Sequence, residues 1–261
     1  MNNGKLKDTI ISWSGVVLII LLWQLGASAG LINVGILSSP LRVAGEFVAQ
    51  FGDGSIFPHI GISLFRVGVG FVIGAGLGLL LGLAMGYFTL TRQILNPIIE
   101  ILRPIPPLAW IPLAIIWFGI GENSKLFLLA LAAFFPIVVN TTKGVRNIDI
   151  ELLQAALSYD VSRSRMLTHV ALPAAMPDIA TGLRVGWSLS FAVLVAAEMI
   201  AAESGLGFLI VEAMNIGDFD RVVFGILAIG ILSVVTDFIW LLVINRYLLF
   251  WLPSADGERG A

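Results

Sequence analysis

An all-α polytopic membrane fold with about six transmembrane helices is what this 261-residue chain predicts, on three observations. The composition is 58% hydrophobic and only 12% charged, about half the charged fraction of an ordinary soluble domain. The mean hydropathy is +0.97. The apolar residues fall in successive runs of roughly twenty, the length that crosses a bilayer as a helix. One polar interlude, Lys143 to Asp178, interrupts them. The whole chain, 1–261, reads as a single transmembrane domain with a core at 62–247 and that loop at 143–178. The net charge of -2, with no basic run, gives no support to nucleic-acid binding. With no cysteine in the chain, disulfides, thiol chemistry and Cys-ligated zinc are excluded. His59 and His169 are far apart in sequence, so no metal site is expected.

The run Ile10–Ala29, behind Lys5 and Lys7, reads as an uncleaved first span. Ala27-Ser28-Ala29 resembles a signal cleavage site, but the run is longer than a signal core and carries Trp13 and Trp23. Leu31–Ile60, with Pro40 and Pro58, reads as a connector. The second span, Ile62–Tyr87, holds Gly70, Gly74, Gly78, Gly82 and Gly86, one at every fourth residue. Such a ladder lets another helix backbone approach closely. It is no phosphate-binding loop, because it lies inside an apolar span and no Lys-Ser/Thr follows. Thr89–Gln93 reads as a tight turn.

The third span, Glu100–Gly121, contains Pro104, Pro106, Pro107 and Pro112. They cannot share one regular helix, because each removes an amide donor and clashes with the preceding turn. Broken backbone at membrane depth survives only against protein or a water-filled cavity. Two readings follow: a pore-lining kink with Arg103, Pro106, Pro107 and Trp110 on the pathway, or a packed kink with Glu100 and Arg103 neutralising each other at i,i+3. A fourth span covers Ser124–Thr142 and a fifth Ile179–Ala202, with Gly182 and Gly186 for packing. Glu198 near the fifth span's far end is a functional-site candidate, since ionisable residues inside spans are costly. A carboxylate would repel an anion, so its expected role is to order the helix end or to pair with a cation such as Arg103. Phe208–Met214 reads as a short re-entrant or interfacial helix, Asn215–Arg221 as a turn and Val222–Tyr247 as the last span.

The interlude reads as two short amphipathic helices. Leu152, Leu153, Ala155, Ala156 and Tyr159 recur at helical spacing. Asp160 and Ser162 offer caps to a second helix bearing Met166, Leu167 and Val170. Pro173 is expected to end that helix, and Pro177 to separate it from the next span. The pattern is that of a docking surface for a soluble partner.

This stretch resembles the cytoplasmic coupling loop of binding-protein-dependent ABC importer permeases. That family's pattern is Glu-Ala-Ala, three residues, Gly, nine residues, then Ile-x-Leu-Pro. The chain has Gln154, Ala155 and Ala156, then Asp160 with Val161 and Ser162, then Val170, Ala171, Leu172 and Pro173. Gln154 replaces the Glu and Asp160 the Gly. Arg103-Pro104, Pro106 through Trp110 and Trp117 through Gly121 resemble permeases of the taurine, aliphatic sulfonate and nitrate group, taurine and sulfonate most of all. Glu198, Glu203 and Ser204-Gly205-Leu206-Gly207 are similar to a further motif of that family. The resemblance covers most of the chain from Ile62 onward. It implies the type I ABC importer permease fold in a bacterial inner membrane, and a homodimer with membrane lipid around it. It also implies two copies of an ABC ATPase subunit, which carry ATP and Mg, and a substrate-binding protein on the outer face. No cofactor is expected on this chain. Taurine or an alkanesulfonate is the implied cargo; nitrate, bicarbonate or a vitamin precursor is the alternative.

Orientation follows from the basic residues. With the N-terminus in the cytoplasm, Lys5, Lys7, Arg92, Lys143, Arg146, Arg163, Arg165, Arg246 and Arg259 lie inside. Arg42, Arg66, Lys125 and Arg221 lie outside or near the outer ends. The chain has no P-loop, Ser/His/Asp set or Cys/His set, so it reads as a non-catalytic subunit. Two other classes remain open on sequence: a proton-coupled secondary transporter using Glu198, and, with less support, a membrane-embedded enzyme.

Overall fold

The computed structural model describes residues 3–33, 35, 37–159, 162 and 165–249. Its helices are α1 (Asn3–Ser28), α2 (Pro40–Gly52), α3 (Ile56–Tyr87), α4 (Thr89–Leu102), α5 (Ile111–Phe118), α6 (Glu122–Arg146), α7 (Ile150–Ser158), α8 (Leu172–Ala201), α9 (Leu206–Ile216) and α10 (Phe219–Val243). A 3-10 turn (Pro107–Trp110) precedes α5, and π-helical turns precede α8 (Met166–Ala171) and follow α10 (Ile244–Leu248). The described residues contain no strand. Four helices are long and apolar enough to cross a membrane, and the bent pair α4–α5 makes up to five by length and composition. The apolar stretch Ser14–Ser28 of α1 is shorter.

The chain divides into two compact units, Met1–Ile62 with Glu203–Gly230, and Ser63–Ala202 with Ile231–Ala261. In the first, the expected connector Leu31–Ile60 contains a helix, α2, and α3 already begins at Ile56. Pro40 starts α2 instead of breaking structure, because the first helical position has no amide bond to lose. Val43 is buried on the inner face of α2, and Phe47 meets Phe224 edge-on at 4.6 Å. Arg221 pairs with Glu46 at 3.3 Å, and Ser38 Oγ donates to Asp220. Gly217, at φ 74, ends α9 in the left-handed conformation, with Asp218 N–H donating to Ala213 O.

In the second unit the glycine ladder sets the packing. A Cβ on Gly70 would lie 2.4 Å from Leu129 Cβ, and on Gly74 2.2 Å from the Ala130 carbonyl oxygen. Gly78 meets Ile137, Gly82 meets Thr141 and Gly86 meets Val145, so α3 and α6 run parallel in near backbone contact. On another side of α6, Gly182 and Gly186 of α8 close on Asn140 and Ile137, and Gly144 of α6 closes on Ala175 and Asp178. These contacts make α6 and α8 antiparallel. Leu129, Ala133 and Ile137 of α6 are fully buried between the two neighbours. Phe71, Trp187 and Trp240 form an aromatic cluster beside them, with Trp187 stacked on Trp240 at 5.5 Å.

Three boundaries differ from the sequence reading. Phe88 alone separates α3 from α4, so Thr89–Gln93 is helical and not a turn. Pro173 does not end the helix before it: the backbone stays helical through Ala171, and the π-helical turn runs on into the first turn of α8, where Pro173 sits. Pro177 lies inside α8, where it forgoes one amide bond near the start and the helix runs on to Ala201.

Candidate translocation pathway and coupling surface

The α4–α5 break is the first feature of the site. α4 stops at Leu102 because Pro104, Pro106 and Pro107 supply no amide donors. Ile105 N–H donates to Leu102 O at 3.0 Å and Ala109 N–H to Pro106 O at 2.9 Å, which turns the chain tightly. The two helices meet at 90°. Gly119, at φ 76, then ends α5.

Three adjoining cavities follow this break along α6 and α8. One of about 270 Å³ is lined by Arg103, Pro107, Pro136, Asn140, Val185 and Leu189, among others. A second of about 460 Å³ shares Val185 and Leu189 with it and adds Thr181, Arg184 and Ser188. A third of about 260 Å³ shares Arg103 and Val139 with the first and reaches Asn96, Glu100, Lys143, Arg146 and Asn147. Arg103 therefore stands at the junction of two cavities. Arg184 is held by Asp237 through contacts of 2.9 and 3.3 Å. A larger cavity of about 580 Å³, between α3 and α6, has an almost wholly apolar wall.

The sequence-predicted residues separate in space. Arg103 and Pro107 line the cavities, Pro106 precedes the 3-10 turn, and Trp110 packs on the core around Leu128 and Phe191. Glu198 is elsewhere and does not pair with Arg103. It is 1% exposed, takes Arg66 Nη1 at 2.7 Å, and accepts Ser63 Oγ at 2.8 and 2.9 Å. Arg66, also 1% exposed, forks onto Glu122 through Nε and Nη2 at 2.8 and 2.7 Å. Lys125 Nζ joins Glu122 at 2.7 Å. Two cations thus face two carboxylates in a hydrogen-bonded cluster whose Arg66, Lys125 and Glu198 are buried and whose Glu122 is half exposed. The geometric reason is plain: the Arg103 cavities meet α6 from Leu131 onward, whereas Glu198 meets the group at its first turn. Glu100 and Arg103 form no ion pair among the described residues; Glu100 accepts Asn96 Nδ2 at 2.7 Å. Sequence reasoning placed Arg66 and Lys125 among outer charges and missed this cluster. The usable signal was an arginine inside a span, which needs a buried partner.

The candidate coupling segment leaves the opposite end of α6. Asp149 Oδ1 accepts Glu151 N–H at 2.9 Å and so caps α7. Gln154 and Ala155 are exposed, whereas Ala156 is buried. Ile150, Leu152 and Tyr159 present uncovered apolar surface, Tyr159 being 85% exposed. Asp160, Val161 and Arg163 lie outside the described residues. Ser162 O accepts Met166 N–H at 2.9 Å, and the π-helical turn carrying Val170 runs without interruption into Leu172 and Pro173 of α8. Lys143 reaches Asp178 at 3.2 Å across the base of the loop. Both ends of the segment are therefore fixed to the packed α6–α8 pair.

A polytopic helical chain with a broken span, cavities along it and a clamped polar loop at one end has the parts of a transport permease. Residues 74–248 match the family described as binding-protein-dependent transport system inner membrane component, and the chain belongs to that family. It is 39% identical over 245 residues to the putative aliphatic sulfonates transport permease protein SsuC of Escherichia coli, covering 94% of this chain and 93% of that one. It is 36% identical over 250 residues to the taurine transport system permease protein TauC of the same organism, covering 94% and 90%. The nitrate import permease protein NrtB of Leptolyngbya laminosa is 36% identical over 185 residues, covering 71% and 66%. Among solved structures, the MetNI methionine ABC transporter in inward facing conformations matches with a TM-score of 0.51 at 20% identity, over 72% of this chain and 94% of that one. That likeness concerns the fold. The chain is thus a multi-pass membrane protein and an ABC importer permease of the binding-protein-dependent family.

Proposed function

We propose that this permease forms the translocation pathway of an ATP-driven importer for taurine or an alkanesulfonate. The observation that carries the reading is the similarity to sulfonate and taurine permeases over more than nine-tenths of the chain. Arg103 at the cavity junction supports it, since a guanidinium suits a small oxyanion. Two ATPase subunits, which bind ATP and Mg, dock on α7 and the π-helical turn of a permease pair. The pair is a homodimer, with each N-terminus in the cytoplasm, and a binding protein delivers ligand at the other face. No catalytic step belongs to this chain.

The packing suggests how force is passed on. ATP-driven closure of the ATPases moves α7. Because Gly144 and Lys143 clamp the loop to α8, and the glycine ladder holds α3 to α6, α3, α6 and α8 move together. The α4–α5 break takes up the change, as a proline-interrupted span can bend where a regular helix resists. The Arg66–Glu122–Glu198 cluster ties the same three helices at their other ends.

The test is uptake into proteoliposomes holding the permease and its ATPase, with the binding protein outside and ATP inside. Labelled taurine or an alkanesulfonate should accumulate only with ATP. Accumulation of nitrate in place of sulfonates would move the cargo to the nitrate branch. Uptake that ignores ATP and collapses with the proton gradient would replace the importer reading by secondary transport.

A further inference from the structure

We propose that the 260 Å³ cavity beside the C-terminal end of α6 is an oxyanion site, separate from the pathway cavities it adjoins, which holds a sulfonate on the cytoplasmic side after release. Only the identity of the anion rests on the function proposed above.

The lining brings together Arg103 from the end of α4, Lys143 and Arg146 from the last turn of α6, and the amides of Asn96 and Asn147. The sole carboxylate in the wall is Glu100, and Asn96 already donates to it at 2.7 Å. Lys143 shares its charge with Asp178 at 3.2 Å. Arg103 and Arg146 have no carboxylate partner among the described residues. Three cations therefore face one carboxylate in a recess with side-chain amides for further hydrogen bonds.

Cations in the last turn of a helix complement its dipole wherever they stand. That accounts for Lys143 and Arg146. It extends to Arg103 at the C-cap of α4, but not to the convergence of the two helix ends, which brings all three cations to one wall. The apolar remainder, Met85, Ile99, Val138 and Val139, lowers the local polarity and strengthens a guanidinium–oxyanion contact. Since Arg103 also lines the next cavity, an anion leaving the pathway reaches this site without losing its cation. A filled site would slow further release as the internal concentration rises.

A phosphate headgroup offers the same tetrahedral oxyanion chemistry as a sulfonate, and basic recesses on the cytoplasmic side of spans suit such headgroups. Calorimetric titration of the full-length permease in phosphatidylcholine nanodiscs, without binding protein, separates the two with ethanesulfonate as probe. Saturable binding should weaken about tenfold or more in Arg146→Gln and in Arg103→Gln, the scale of one lost charge-assisted contact. Arg92→Gln, outside the lining, should bind as the parent does. Binding that vanishes when phosphatidylglycerol is added, only while Arg146 is present, would support the site but give it to a lipid headgroup. No binding in phosphatidylcholine, or equal binding in parent, Arg103→Gln and Arg146→Gln, overturns the proposal. Sulfonate-driven uptake alongside a silent titration would remove this site and leave the function standing.

Discussion

Gly74→Ala should destabilise the protein, although alanine is the better helix former. The built Cβ would lie 2.2 Å from the Ala130 carbonyl oxygen and 2.9 Å from Ala133 Cβ. An ordinary C–H···O approach is about 3.3 Å or more, so α3 and α6 must part by roughly 1 Å. The obstructing atom is backbone and cannot rotate away. Overpacking of this kind costs about 1–3 kcal/mol, against up to ~1 kcal/mol recovered in helix propensity. Gly76, two residues on, has open space where a Cβ would go, so Gly76→Ala keeps the propensity gain and loses nothing. The gap between the two variants isolates the clash, at about 1–3 kcal/mol. Denaturant unfolding of both purified variants in mild detergent, followed by tryptophan fluorescence, measures it. Equal midpoints would refute the account of the ladder as a backbone-contact seam.

Glu198→Ala removes the buried carboxylate that Arg66 pairs with and that the Ser63 hydroxyl donates to, so unfolding should come earlier by about 3 kcal/mol; an unchanged midpoint would mean the cluster carries no stability. Ala156→Glu places a carboxylate at a buried position of α7, and co-purification of the ATPase subunit should fall about tenfold or more; intact association and uptake would remove α7 from the coupling surface. The chain has no cysteine, so single reporters can be placed freely. Gln154→Cys on α7 and Ile120→Cys between α5 and α6 sit at opposite ends of α6 and should react with an impermeant maleimide from opposite sides of the membrane, Gln154→Cys from the cytoplasm. Labelling of both from one side would contradict the span assignment.

The long apolar helices and the family motifs were legible because each rests on a local signal. A glycine at every fourth residue marks a helix seam wherever the partner lies, and the Gln154–Pro173 spacing marks the loop. The proline cluster foretold broken backbone, though only the structure shows that it borders cavities with Arg103 at their junction. Long-range pairing was not legible. Glu198 has several cations in the sequence to choose from, and its choice of Arg66 depends on α3 lying parallel to α6. The same holds for Arg184 with Asp237, 53 residues apart. α2 was missed because thirteen residues behind a proline look like a connector until Phe224 supplies the surface for Phe47. Pro173 and Pro177 look like breaks in sequence because a proline within a helix forfeits an amide bond, and the π-helical turn that carries the helix past Pro173 has no local sequence signal.

The most direct test of the central claim is ATPase activity of the permease reconstituted with its ATPase subunits, titrated with binding protein loaded in turn with taurine, an alkanesulfonate and nitrate. The account predicts stimulation by the sulfonate-loaded or taurine-loaded protein and little by the empty one. Stable assembly whose hydrolysis ignores every loaded form, or no assembly at all, would contradict it.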